Sequence, residues 1–315
     1  MPLRAGAAAL VCAASCSAAA QEHASGFADP LLGRWDLTID GAAARYPSWL
    51  EVRLRTEREL MGRFVGRVGS TRYASAIGYD DGRVTFAVPA QYEPDVTELR
   101  FEGRLAGDRL EGTTHDANGE VVRWTAARAP ALLPDGTRAP GAALALFNGR
   151  DLAGWRPRSA DRAGCWSVAA GELVVTPPCV DLVTESAFED FALHAELKFP
   201  AGSNSGVYLR GRYEVQIADD AGRALDPLRM GAVYGFLAPS VAAARPADEW
   251  QTLDVSLRGR FVTVILNGVT IIDAQEIPGI TGGALDSREE LPGPIMLQGD
   301  HGPIRFRNLT LTPYR

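Results

Sequence analysis

At 315 residues the chain has room for two ordinary domains, and 46% hydrophobic against 23% charged residues fit a folded rather than a disordered protein. A net charge of −7 argues against an electrostatic nucleic-acid binder, which would need a basic face. Lys198 is the single lysine, so a Schiff-base mechanism has one candidate, and the six Trp and eight Tyr suit either core packing or sugar stacking.

Residues 1–20 carry Arg4, an apolar small-residue run from Ala5 to Ala14, and Ala18-Ala19-Ala20, the A-x-A form of a cleavage site. The run is too short to persist as a membrane span. It reads as a signal peptide, which sends the protein to the periplasm or the extracellular space. A lipid anchor on Cys16 is the weaker alternative, because Ala13 stands where a large aliphatic residue is expected. Loss of the leader removes Cys12 and Cys16. Cys165 and Cys179 then remain, to pair as a disulfide in an oxidising compartment or to stand as two thiols flanking a hairpin.

From 28 to 130 the chain is a series of about eight short alternating segments, among them RWDLTI, WLEVRLRT, RVTFAVP, ELRFEGRLAG and VVRWTAAR. Asp80-Asp81-Gly82, Gly107-Asp108 and Asn118-Gly119 separate them as hairpin turns. This pattern predicts a small antiparallel β-barrel or sandwich. Glu51, Arg53 and Arg55 read as its charged outward face, and His115 as a turn residue. Residues 131–143, rich in Pro, Gly and Ala without periodicity, read as a linker.

Residues 144–315 read as a second all-β domain. Phe191, Leu193, Ala195, Leu197 and Phe199 alternate with Ala192, His194, Glu196 and Lys198, the period of a half-buried strand. Gly202-Ser203-Asn204-Ser205-Gly206 reads as a tight turn into a strand on which Tyr208 and Arg210 share a face. In the next run Glu214 and Gln216 oppose Tyr213, Val215 and Ile217. Superposing the polar faces predicts one surface of Glu196, Lys198, Arg210, Glu214 and Gln216. Further on, Leu253 to Leu266 alternates into an Asn267-Gly268 turn, and the loop from Pro278 to Ile295 leads towards Gln298 and His301 and reads as a cover over a cleft.

Several motifs of this half stand together and in order: LFNGRDLAGW from Leu146, Trp166-x-Val168-x-x-Gly171-x-Leu173, NSGVYLR from Asn204, YEVQIAD from Tyr213, GAVYG from Gly231, EWQTLDV from Glu249, and LQGDHGPIRFRNL from Leu297. In this the chain resembles the 3-keto-disaccharide hydrolase family over about 144–315. The resemblance implies a concanavalin-like jelly roll and an enzyme acting on glycosides whose 3-hydroxyl has been oxidised to a ketone. Gln251 departs from the family pattern, in which Asn follows Glu-Trp.

A conventional glycosidase sets two carboxyl groups across the scissile bond, whereas here Glu214 is followed by Gln216 on the same face. A 3-keto sugar needs less, because the ketone acidifies the carbon 2 proton and elimination expels the aglycone. That route asks for a base, a donor at the enolate oxygen and an acid for the leaving oxygen. Arg210 is the candidate for the enolate, Glu214, Glu196 and His301 for acid and base, and Asn204, Tyr208, Gln216, Gln298 and Lys198 for sugar hydroxyls, with Tyr234 walling the cleft. A divalent metal ion on Glu196, Glu214 or His301 is a second way to provide the electrophile. Structural readings stand beside these: Asn204 as a turn residue, Arg210 and Glu214 as a surface ion pair. A lectin-like sugar binder without catalysis is the alternative function.

Overall fold

In the computed structural model of the chain, residues 30–41, 44–56, 59–93, 97–116, 118–160 and 164–315 are described. The predicted signal peptide, with Cys12 and Cys16, lies outside them. Every regular element among the described residues is a strand, so no helix there is long and apolar enough to cross a membrane. Leu31–Arg315 form one compact unit.

Eight antiparallel strands close a barrel in sequence order: β1 Gly33–Asp40, β2 Arg45–Thr56, β3 Glu59–Val65, β4 Arg72–Asp80, β5 Arg83–Pro89, β6 Glu98–Ala106, β7 Arg109–His115 and β8 Val121–Arg128, which pairs back onto β1. Alternate residues point inward and fill the barrel with Trp35, Leu37, Phe64, Phe86, Phe101 and Trp124, the rings of Phe86 and Phe101 stacking at 4.5 Å. Asp81 and Gly82, both at positive φ, form the two-residue turn read from the sequence. Glu51 corrects an expectation. It is buried and gathers Arg34, Arg53 and Arg63, whose ion pairs, opposing the effect of burial, hold its carboxyl below the ordinary range.

The remainder is a jelly-roll sandwich of two antiparallel sheets. Its strands are β9 Leu144–Ala145, β10 Trp155–Pro157, β11 Trp166–Ala169, β12 Glu172–Val175, β13 Leu182–Thr184, β14 Phe191–Lys198, β15 Asn204–Leu209, β16 Tyr213–Ala218, β17 Gln251–Arg258, β18 Phe261–Leu266, β19 Val269–Glu276, β20 Met296–Leu297 and β21 Ile304–Pro313. One sheet runs β10-β13-β20-β15-β16; the other runs β11-β12-β21-β14-β17-β18-β19 with β9 on β21. Phe191, Leu193 and Leu197 from one sheet and Val207, Leu209, Val215 and Ile217 from the other meet in the core.

β14 and β15 therefore belong to different sheets, and the turn at Pro200–Gly202 carries the chain between layers. Each polar face points away from the shared core, so the outward faces of β14 and β16 look in opposite directions. The barrel packs on the sandwich through Trp49 and Val65, with Trp49 edge-on to Phe236 at 5.2 Å. The 129–143 segment is fastened along its length: Arg260 N–H donates to the Leu132 carbonyl at 2.9 Å, and Ala139 exchanges two backbone bonds with Arg315 at 2.8 and 2.9 Å.

Candidate active site

On the outward face of the smaller sheet, β15 and β16 present Asn204, Tyr208, Glu214 and Gln216, the residues left over when Val207, Leu209, Val215 and Ile217 enter the core. They floor a cleft of about 440 Å³. Gln298 and His301, beyond β20, Tyr234, and Gly282 and Gly283 of the long loop complete that side of it. Arg158 and Asp181 arrive from the ends of β10 and β13, whose pairing also sets the Arg158 N–H on the Asp181 carbonyl at 2.8 Å. The barrel closes the opposite wall with Val68, Gly69 and Tyr92.

The long loop is held as a wall. Thr281 Oγ1 accepts the Glu214 N–H at 3.0 Å, Glu289 bonds Tyr213 Oη at 2.5 Å and Arg260 at 3.1 Å, and Gly283 N–H donates to the barrel's Arg67 carbonyl at 2.9 Å. Two glycines make room for side chains. A Cβ on Gly206 would collide with the Glu214 carboxyl, and one on Gly283 with the Tyr208 hydroxyl.

Burial pushes Glu214 up to about 8, so at pH 7 it is predominantly the neutral acid. Its Oε2 lies 2.9 Å from Tyr208 Oη, which also lies 2.9 Å from the Gly282 carbonyl. A hydroxyl has one proton to donate, so making both contacts needs a proton on Glu214. His301 Nδ1 meets Asp300 Oδ1 at 2.5 Å, and that carboxylate raises the imidazole above its ordinary value. Burial alone would raise Asp300, but the bond and charge of His301 bring it below the ordinary range.

Burial raises Asp181, against the pull of Arg158 Nη1 at 2.9 Å and the Gly299 N–H at 3.1 Å. Arg158 also donates to the carbonyls of Gly283 and Ala284 at 3.0 and 3.2 Å, which aims a partly exposed guanidinium at the cleft. Gln298 Oε1 is buried without a hydrogen-bond partner, an acceptor poised for a ligand hydroxyl. Burial, with Tyr92 and Glu214 nearby, raises Tyr234, whose hydroxyl meets Tyr92 of the barrel wall.

Seven predicted residues thus share the cleft: Glu214, His301, Asn204, Tyr208, Gln216, Gln298 and Tyr234. Three do not. Arg210 lies beyond the end of β15, in a turn with φ of 51° at Arg210 and 65° at Gly211, and its buried side chain bonds the Gly259 and Glu289 carbonyls with Asp190 at 3.6 Å. Glu196 and Lys198 occupy the outer face of the other sheet, where Glu196 takes Arg307 at 2.7 Å and Asn308 at 2.5 Å, and Lys198 sits over Trp250. Of the three metal candidates, Glu196 lies across the sandwich, while Glu214 and His301 line the cleft. No group of three or more His, Cys, Asp or Glu has metal-holding geometry among the described residues.

Arg158, Asp181 and the barrel wall were missed. The Arg158–Asp181 pair spans 23 positions and is made by strand pairing, which no local pattern announces. Its nearest sequence signal is Cys179, whose disulfide to Cys165 ties down the segment entering Asp181, while Trp166 Nε1 donates to the Val180 carbonyl at 2.7 Å. Gln251, the departure from the family pattern, is fully buried and bonds Arg245 N–H at 3.0 Å, Arg245 carbonyl at 2.9 Å and Asn267 at 2.9 Å, a structural role away from the cleft.

A family model described as a 3-keto-alpha-glucoside-1,2-lyase-like domain matches residues 142–312. Among solved structures, a candidate glycosyl hydrolase of Parabacteroides distasonis ATCC 8503 is 31% identical, covers 58% of this chain and 90% of its own, and superposes with a TM-score of 0.48. The carbohydrate-binding module CBM66 of Bacillus subtilis is 14% identical over 50% of this chain and 95% of its own, TM-score 0.36. SCLam, a non-specific endo-beta-1,3(4)-glucanase of family GH16, is 12% identical over 59% and 96%, TM-score 0.37. No curated protein matches the chain.

Proposed function

The chain belongs to the family of 3-keto-alpha-glucoside-1,2-lyase-like domains, and from that premise we propose that it cleaves 3-keto glycosides by elimination at carbons 1 and 2 followed by hydration. The observation that carries this reading is one buried acid, Glu214, and one histidine base, His301, lining a single cleft. The other carboxylates lining that cleft are already engaged, Asp181 by Arg158 and Asp300 by His301, so the opposed pair of a conventional glycosidase is missing among the lining residues.

His301, with Nδ1 held by Asp300, takes the carbon 2 proton on Nε2. The electron pair flows into the ketone, and the Arg158 guanidinium receives the charge on the oxygen of carbon 3, the role first expected of Arg210. As that charge returns, the bond from carbon 1 to the glycosidic oxygen breaks, and the Glu214–Tyr208 pair supplies the proton with which the alcohol leaves. Water then adds to carbon 1 of the enone, giving its proton to Glu214, while His301 returns its proton to carbon 2. Net consumption is one water, and both groups end as they began.

Gln298, Asn204 and Gln216 receive the remaining hydroxyls. We place the protein outside the cytoplasm, where the Cys165–Cys179 disulfide persists. The test is incubation of purified protein with a 3-keto disaccharide and with the unoxidised sugar, each with and without a chelator. Release from the keto sugar alone is expected, with or without the chelator. Binding without turnover would make the protein a lectin-like module, and loss on chelation restored by a divalent ion would transfer the electrophile's role from Arg158 to a metal.

A further inference from the structure

The barrel lies outside the family match, yet it lends Val68, Gly69 and Tyr92 to the cleft. At the same end, lined by Gly41 and Ala44 from beside β1 and β2, Gly66 after β3, Glu93 after β5 and Asp116 after β7, a second cavity of about 450 Å³ opens into its mouth. Tyr46, Phe64, Leu99 and Phe101 surface it, and Val68 and Tyr92 line both cavities. Each has the size of a small-molecule site.

Their chemistry differs. In the mouth three polar side chains are engaged by the surrounding chain: Glu93 holds Arg72 through both oxygens at 3.0 Å and the Gln91 N–H at 2.8 Å. Thr114 Oγ1 donates to the Arg100 carbonyl at 2.7 Å, and Asp116 Oδ1 accepts the Asn118 and Glu120 N–H groups at 2.9 and 3.0 Å. What remains on offer is chiefly the aromatic and aliphatic surface of Tyr46, Phe64, Val68, Tyr92, Leu99 and Phe101, with Arg67 and His115 beside it. The cleft, by contrast, presents the unpartnered Gln298 Oε1, a neutral carboxyl and a guanidinium, which suit a sugar ring.

We propose that the barrel mouth is the leaving-group subsite, taking an apolar aromatic aglycone whose oxidised sugar occupies the cleft across Val68 and Tyr92. This rests on the cleavage reading above for the sugar and on the mouth alone for the aglycone. Burying an aromatic ring against Phe64, Phe101 and Tyr46 gains what a methyl aglycone cannot reach. A barrel added to the family's domain would then act as its selectivity filter.

Two arms test it. In the first, 4-nitrophenol alone is titrated into the full chain and into Leu99→Glu by protein-observed NMR, and is soaked into crystals. The proposal expects the ring against Phe64 and Phe101 and an affinity at least tenfold weaker in the variant. In the second, kcat/KM is measured for 4-nitrophenyl and methyl 3-ketoglucosides. The aryl-to-methyl ratio should be at least ten in the wild type, carried by KM, and should fall about tenfold in Leu99→Glu. Nitrophenol seated elsewhere, a mouth left empty at saturation, or equal ratios would overturn the subsite. Should neither glycoside be turned over, the cleavage reading fails, and the nitrophenol arm still decides the mouth. The crystal soak needs no variant, so misfolding of Leu99→Glu leaves the proposal exposed to refutation.

Discussion

Replacing Glu214 with Gln separates the proton this residue carries from the space it fills. The wild-type carboxyl is buried between Gly206 and Tyr208 and is pushed up to about 8 from an ordinary value of 4.5. The folded chain keeps that proton while the unfolded chain gives it up. The stability it confers is therefore fully present below pH 4.5 and is lost as pH rises to about 8. At 1.36 kcal/mol per pH unit the loss amounts to roughly 5 kcal/mol, an order-of-magnitude figure. Glu214→Gln keeps the shape and gives Tyr208 a neutral partner at every pH. Urea unfolding of both proteins at pH 5 and pH 8.5 should show the wild type losing several kcal/mol more than the variant over that interval. The variant's turnover of a 3-keto disaccharide should fall between roughly 10²- and 10⁴-fold, the range for loss of a general acid. Parallel pH–stability curves would refute the buried neutral acid, and undiminished kcat would refute its role in proton delivery.

Wild-type kcat/KM should trace a bell, rising as His301 loses its proton above its ordinary 6.5 and falling near 8 as Glu214 ionises. Asp300→Asn removes the carboxylate that raises His301, so the acid limb should move to lower pH by more than the alkaline limb, because Glu214 is set chiefly by burial and feels Asp300 only as a lesser cause; an unmoved acid limb would assign the base elsewhere. Arg158→Met should cut kcat by about 10² to 10³ with a smaller change in KM, as expected for a lost donor to a developing oxyanion; a pure KM effect would make Arg158 a binding group only. Arg210→Met should leave kcat and KM of the folded enzyme as they are but cost about 1–3 kcal/mol in urea unfolding, because the buried Gly259 and Glu289 carbonyls lose their guanidinium donor, while Asp190 keeps the Gly259 N–H and Arg138. A selective collapse of kcat in that variant would return Arg210 to the chemistry.

Which side of each strand faces the core was legible from the order of residues, because alternation needs only neighbours two apart. The parity of Tyr213, Val215 and Ile217 against Glu214 and Gln216 holds in the structure, as do the barrel's strands and their Asp-Gly turn. LQGDHG likewise carried Gln298 and His301 into the cleft. Which face meets which was decided by the tertiary structure. Between Phe199 and Ser203 a change of sheet and a hairpin within one sheet look alike locally, yet the former sends Glu196 and Lys198 to the far side of the sandwich. At Arg210 the alternation stops one residue before the pattern suggests, because positive φ turns the backbone and redirects the guanidinium into the interior. Arg158, Asp181 and the barrel wall came to the site through contacts between distant segments, for which no short-range periodicity exists.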